Sequence, residues 1–266
     1  MQTSRLGTPL RLRAGARTDS GRVRSNNEDH IFVDVDLRLF VVADGMGGHN
    51  SGEVASRLVV ESMSGFIARS HEDSDFSWPY GIESTLSHQA NRLRTAINLA
   101  NRRMFRAAGS HDDYTGMGST VVSALCDTNS VILGHVGDSR AYRFRVGTPC
   151  EQLTQDDTWL VAMMAQTDVQ VDATNHPMKH VLTHVLGARD QIQIHVAEHQ
   201  MLEGDRLLLC SDGLHGVLSN DDLDQIISGA GIQSAQQAAE CLVLEALSQG
   251  SRDNITAVVI EFGAAS

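Results

Sequence analysis

The 266-residue chain is 41% hydrophobic and carries 33 acidic against 21 basic residues, a formal charge of −12. That length supports one large domain with a sizeable core, and the acidic balance argues against nucleic acid or an anionic membrane as a main partner. No apolar run reaches the ~20 residues of a membrane-spanning helix, and the four cysteines (Cys126, Cys150, Cys210, Cys241) form no CxxC pair, which disfavours zinc and points to a reducing, cytoplasmic setting.

The first eighteen residues hold Arg5, Arg11, Arg13 and Arg17 and lack the apolar core of a signal peptide. Strands are predicted at 10–18 and, as two strands or one broken run, at 30–43. From Ser51 the apolar spacing turns helical, through Val54, Leu58, Val59, Met63, Phe66 and Ile67. A polar stretch with Pro79 and Gly81 breaks that helix, and a second is predicted from Ile82 to Ala108. Strands follow at 119–126, 130–137 and 140–146. A short amphipathic segment, TWLVAMMA, then leads into a polar insertion at about 160–181. Further strands are predicted at 181–186, 191–197 and 205–210, helices at 222–228 and 234–247, and a last strand in ITAVVIEF. Strands, two helices, strands, two helices and a strand imply antiparallel sheets with helices outside, an α+β layered domain.

Four aspartates stand in glycine-flanked or polar turns that follow or precede apolar runs: Asp44 in ADGMGG, Asp138 in VGDSR, Asp212 in CSDGL and Asp253 in RDNIT. One such turn alone reads as conformational, since Asp-Gly is a common turn pair. Four of them at strand ends suggest carboxylates gathered at a sheet rim, where oxygen ligands suit hard divalent cations.

The full motif order is VRSNNED (23–29), ADGMGGHNSGE (43–53), GMGST (116–120), VGDSRAY (136–142), LCSDGL (209–214) and RDNITAVV (252–259). Together these resemble the metal-dependent serine/threonine protein phosphatases of type 2C, in their bacterial form, over about Leu12 to Phe262. The resemblance implies one phosphatase domain over 1–266, with a core of about 10–263 and a flap at about 160–181. Its fold would be a sandwich of two antiparallel sheets flanked by helix pairs. It further implies two Mn²⁺ or Mg²⁺ ions, with a third more weakly held, and a bridging water that attacks phosphoserine or phosphothreonine directly. Asp44 matches the bridging ligand, Gly45 a carbonyl ligand, and Asp212 and Asp253 the remaining carboxylates. Asp138 matches a ligand of the third ion, Glu28 and Asp29 match acids that act through water, and Arg24 matches the phosphate-gripping arginine.

The chemistry suits these parts. Phosphate monoesters are among the slowest biological substrates to hydrolyse unaided. Two close cations lower the pKa of water and neutralise the phosphate charge, and an arginine fork matches two phosphate oxygens. Met46 stands where eukaryotic members carry a histidine, so the general acid is open among His49, His135 and water. In the T-x-D-H-S segment of the family this chain has Asp157 in place of histidine. Asp168 and Asp172, in the flap, read as solvated loop residues. The expected partners are phosphorylated proteins and a cognate serine/threonine kinase, with the enzyme a monomer. The competing readings are a two-metal phosphatase of small esters and a non-catalytic regulatory module.

Overall fold

In the computed structural model the described residues are 9–48, 51–72, 78–166, 178, 181–229 and 231–264, without the side chains of 71–72 and 165–166. His49, Asp168 and Asp172, and most of the expected flap, lie outside them.

Runs such as Leu39-Phe-Val-Val-Ala are apolar at every position. A strand of that kind is stable only when both its faces are covered. The fold provides this with two antiparallel sheets. One has the order β1 (Arg11–Asp19), β11 (Ile255–Gly263), β10 (Arg206–Cys210), β7 (Arg140–Phe144), β8 (Glu151–Gln152). The other runs β2 (Asp29–Asp34), β3 (Leu39–Met46), β5 (Val121–Cys126), β6 (Ser130–Val136), β9 (His195–Gln200), with β4 (Gly118–Ser119) paired to β3.

Side chains alternate between the faces of each strand. Phe40, Val42, Val122 and Leu133 meet Leu207, Leu209, Val258 and Ile260 between the sheets. Leu39, Val41 and Ile132 face outward against Met63, Phe66, Leu93 and Ile97 of α1 (Ser51–Glu72) and α2 (His88–Ser110). On the far side, Tyr142, Leu208 and Val259 pack on α4 (Asp212–His215), α5 (Asn220–Ile227) and α6 (Ala235–Ser248). The layers are therefore α-β-β-α, as expected. All four cysteines are free.

Helix starts follow local chemistry. Ser87 caps α2 through Ala90 N–H, and Ser219 and Asp222 form a capping box on α5. The second helix therefore begins six residues later than Ile82, because Asn91 binds the Glu83, Leu86 and Ser87 carbonyls and holds 83–87 as a turn.

The expected strand at 181–186 is absent. Leu182 and Leu186 each make only an isolated bridge, to Thr158 and Ser119. The strand expected at 191–197 is displaced to His195–Gln200, where pairing to β6 sets its limits. The TWLVAMMA segment forms α3 (Trp159–Gln166), while β8 and α4 carry too few residues to show a period.

Candidate metal centre

The acidic residues meet at one end of the sandwich. Antiparallel register sets Asp29 of β2 directly opposite Asp44 of β3. Beyond Asp44 the chain pairs with β4, and the Asp44 carbonyl accepts hydrogen bonds from Thr120 N–H at 2.8 Å and Ser119 Oγ at 3.0 Å. Gly45 has no room for a side chain: a Cβ there would stand 1.9 Å from the Gly52 carbonyl oxygen and 2.9 Å from that of Glu28. Asp138 occupies the β6–β7 turn, Asp212 opens α4, and Asp253 precedes β11.

A second layer ties these turns together. Asn254 donates to the carbonyls of Ser20 (3.0 Å) and Asn26 (2.9 Å) and accepts from Glu28 N–H at 2.8 Å. It thereby anchors the loop bearing Arg24 to the turn bearing Asp253. His215 of α4 donates from Nε2 to the Asp138 carbonyl at 2.9 Å. Burial first, and then Arg140, push its pKa down to about 4, so the ring is neutral.

The electrostatics are those of crowded anions. Desolvation, followed by the Asp29, Asp212, Asp138 and Asp253 charges, holds the Asp44 carboxyl well above the usual range. Asp29 is pushed up to about 7 by burial, against hydrogen bonds from Thr256 (2.6 Å) and Ser211 (2.7 Å), with Asp212 and Asp253 adding to the rise. Asp138 also reaches about 7, through burial and then Asp212 and Asp156. Burial raises Glu28 as well, opposed by Arg24; its carboxylate rests against Gly52, where a Cβ would stand 2.5 Å away.

At the rim, Arg24 donates to Asp253 Oδ2 at 2.8 Å. Both line an open cleft of about 560 Å³ with Val23, Asp212, Val217 and Arg252. A cleft of about 770 Å³ lies at the opposite end of the same sheet, around Phe144, Arg206 and Ile232. It is the larger of the two but is remote from the carboxylates.

Among the described residues, no three acidic, histidine or cysteine side chains close on one point as a finished coordination cage. Like charges at this density repel, and two of the groups are turned to other partners, Asp253 to Arg24 and Asp29 Oδ2 to hydroxyls. The donor set nevertheless fits a hard divalent cation. It is all oxygen, its members raise one another's pKa as crowded anions, and Asp29 Oδ1 is buried without a hydrogen-bond donor among the described residues.

His135, one of the candidate proton donors, is engaged elsewhere. Its Nε2 donates to the Gln155 carbonyl at 2.9 Å, and its ring stacks on His195. Sequence reasoning missed Asn254 and His215. The Asn of RDNIT sat in plain view beside Asp253, whereas nothing in a lone histidine announces a bond to a backbone carbonyl.

A family model described as Protein phosphatase 2C matches residues 21–248. The chain is 31% identical over 255 residues to the serine/threonine phosphatase stp of Listeria monocytogenes serovar 1/2a, covering 94% of this chain and 96% of that one. It is 34% identical to the serine/threonine protein phosphatase PstP of Mycobacterium tuberculosis, over 95% of this chain and 45% of PstP. The crystal structure of the M. tuberculosis phosphatase PstP/Ppp superposes with a TM-score of 0.81 at 32% identity, covering 95% and 99% of the two chains. The PstP catalytic domain in complex with two manganese ions gives 0.78 at 31%, again covering 95% and 99%.

Proposed function

The chain belongs to the protein phosphatase 2C family, and from that premise we propose a role for each residue of its site. The protein is a serine/threonine protein phosphatase with a two-metal dependence, and phosphoproteins are its substrates. Asp44 would bridge the two core ions, with the Gly45 carbonyl as a ligand of one and Asp212 and Asp253 completing the other. Asp138 would hold a third, weaker ion together with Asp212. Glu28 and Asp29 would act from behind, through water. The ions are Mn²⁺ or Mg²⁺; when bound, they neutralise phosphate charge and acidify water.

The observation that carries this assignment is the cluster of acids at Asp29, Asp44 and Asp138, the first and last buried and Asp44 half-buried between them, each raised by desolvation and by its acidic neighbours. Acids crowded and desolvated at a cleft in this way are the pattern of a functional site, where bound cations would offset their repulsion.

This chain's own residues do the rest. Arg24 is exposed at the cleft and already orients its guanidinium on Asp253. It would exchange part of that contact for the substrate phosphate, gripping it by charge-assisted bonds. Asn254 keeps the arginine loop and the Asp253 turn in fixed relation. Gly45 and Gly52 let the β3 end and the α1 start approach within backbone contact. Met46 has no proton to give and His135 Nε2 is committed to the Gln155 carbonyl, which favours water as the proton donor to the leaving oxygen.

We further infer that the 266 residues work as one phosphatase domain with a core of about 10–263 and a substrate-facing flap at 160–181. The protein would act as a cytoplasmic monomer, opposing a serine/threonine kinase. Among the described residues, no helix is long and apolar enough to cross a membrane.

The test is Mn²⁺-dependent release of phosphate from phosphoserine and phosphothreonine peptides, compared with small phosphate esters, with Asp44→Asn as control. Metal-dependent peptide turnover, lost in the variant, supports the assignment. Peptide turnover unaffected in Asp44→Asn overturns it, and turnover of small metabolite esters alone would favour the small-ester reading.

A further inference from the structure

Asp157 belongs to no proposed ligand set, yet it is the joint of this end of the molecule. It is buried, 7% exposed. Its Oδ2 accepts from Gly137 N–H at 3.0 Å, and its own N–H donates to the Gly137 carbonyl at 2.9 Å. One residue thus binds both polar groups of Gly137, the position immediately before Asp138. Oδ1 accepts from His195 Nε2 at 2.9 Å, and His184 Nδ1 stands 3.5 Å away. The Asp157 carbonyl accepts from Thr183 N–H at 2.8 Å. His195 is braced in turn by His135, whose ring stacks on it with centroids 4.8 Å apart.

Gly137 needs such a clamp. Its φ is +101°, and a Cβ there would stand 2.7 Å from Thr120 Cβ. Glycine reaches that conformation at little steric cost but is not confined to it. The direction of the Asp138 carboxylate depends on how firmly the turn is held. A carboxylate fixed at both oxygens, one on His195 and one on Gly137, has no freedom to rotate away.

We propose that Asp157 is a positioning residue for Asp138: its doubly anchored carboxylate locks the Gly137 turn in the conformation that aims Asp138 at its metal. The same residue ties in Thr183, so the chain leaving the 160–181 segment is fixed to this turn. The inference rests on the reading of Asp138 as ligand of the weaker ion.

Two variants separate positioning from charge. Asp157→Ala removes both anchors. Asp157→Asn keeps an amide oxygen for Gly137 N–H and turns its NH₂ to His195, which accepts in the other tautomer. Mn²⁺ binding is measured by titration calorimetry on the full chain, and exchange of the Gly137 amide by NMR on the metal-free protein. Asp157→Ala is expected to weaken the weakest class of Mn²⁺ sites about 10-fold, the scale for losing a group that orients a ligand, and to speed Gly137 exchange. Asp157→Asn is expected to preserve both.

If Asp157→Ala does not fold, His195→Ala removes a single anchor and should shift both readouts in the same direction by less. Unchanged binding in the alanine variants, or equal loss in Asp157→Asn and Asp157→Ala, overturns the inference. Asp138→Ala is the separate control: if it leaves the weakest class intact, the reading of Asp138 falls and the clamp loses its purpose. If it abolishes that class while Asp157→Ala does not disturb it, the clamp alone is wrong.

Discussion

Asp205 and Asp29 are almost equally buried, 2% and 3% exposed, and they live in opposite surroundings. Asp205 receives both arms of Arg145, at 2.8 and 2.6 Å, and the Leu202 amide at 2.8 Å. Asp156 is served in the same way by Arg140, at 2.9 and 2.7 Å. Among the described residues Asp29 has no basic side chain paired to it. It has two hydroxyls on one oxygen, no donor on the other among the described residues, and acidic neighbours instead. An ion-paired buried acid secures loops to strands, whereas a buried acid set among other acids is held against its own stability. Depth of burial does not distinguish structure from function here; the sign of the neighbours does.

The sharpest way to break this contrast is at Asp44. Asp44→Asn is expected to lower phosphatase kcat/KM by at least about 1000-fold, some 4 kcal/mol of barrier, with unfolding by urea no easier than in wild type. Arg24→Ala comes next. Losing charge-assisted bonds to the phosphate should raise KM about 10-fold, on the scale of 1.5–3 kcal/mol for a bond to a charged group. Calorimetric Mn²⁺ affinity should change less than KM does, since Arg24 also pairs with Asp253, and an unchanged KM would remove Arg24 from its role.

Asp205→Ala is the structural counterpart. It should cost about 2 kcal/mol of stability, less than a fully buried pair because Arg145 reaches solvent, while kcat below the melting range stays near wild type. A large loss of kcat there would erase the distinction between the two kinds of acid.

The smallest effect is a change with pH. Asp29 and Asp138 bind protons more tightly folded than unfolded, with folded pKa values of about 7. Between the ordinary carboxylate range and pH 7 the folded state therefore holds the extra protons, and stability falls as pH rises through that window. Buried His215, with a folded pKa of about 4, works the other way up to the ordinary histidine range, so the urea midpoint of the metal-free protein should decline from about pH 6.5 to 7.5. Asp29→Asn should flatten part of that decline, and saturating Mn²⁺, which requires the ionised carboxylates, should oppose it. A midpoint that rises over the same range would show that these acids are not strained in the fold.

Much of this was legible in the sequence because the decisive signals are local. Apolar runs such as LFVVA must be covered on both faces, so the layers could be read before their order was known. The aspartates of ADGMGG and CSDGL read as turn residues from their glycines, whereas Asp44 lies within β3 and Asp212 opens α4. What failed was whatever depends on a partner far along the chain. The 181–186 segment has strand composition, but Leu186 finds only Ser119 to bridge and Leu182 only Thr158, so composition had no ladder to join. Asp157 stood out only as a departure from the family's T-x-D-H-S segment, and its role comes from His195, His184 and Gly137, gathered from three other places. Asn254 was hidden in a different way, its neighbour Asp253 offering a more obvious chemistry.

The closeness of Gly45 to Gly52 has one more implication. With a carbonyl oxygen 1.9 Å from where any β-carbon would be built at Gly45, a saturation library at that codon should return glycine alone among clones that fold and dephosphorylate. Alanine, the mildest substitution elsewhere in the chain, should there be as damaging as tryptophan.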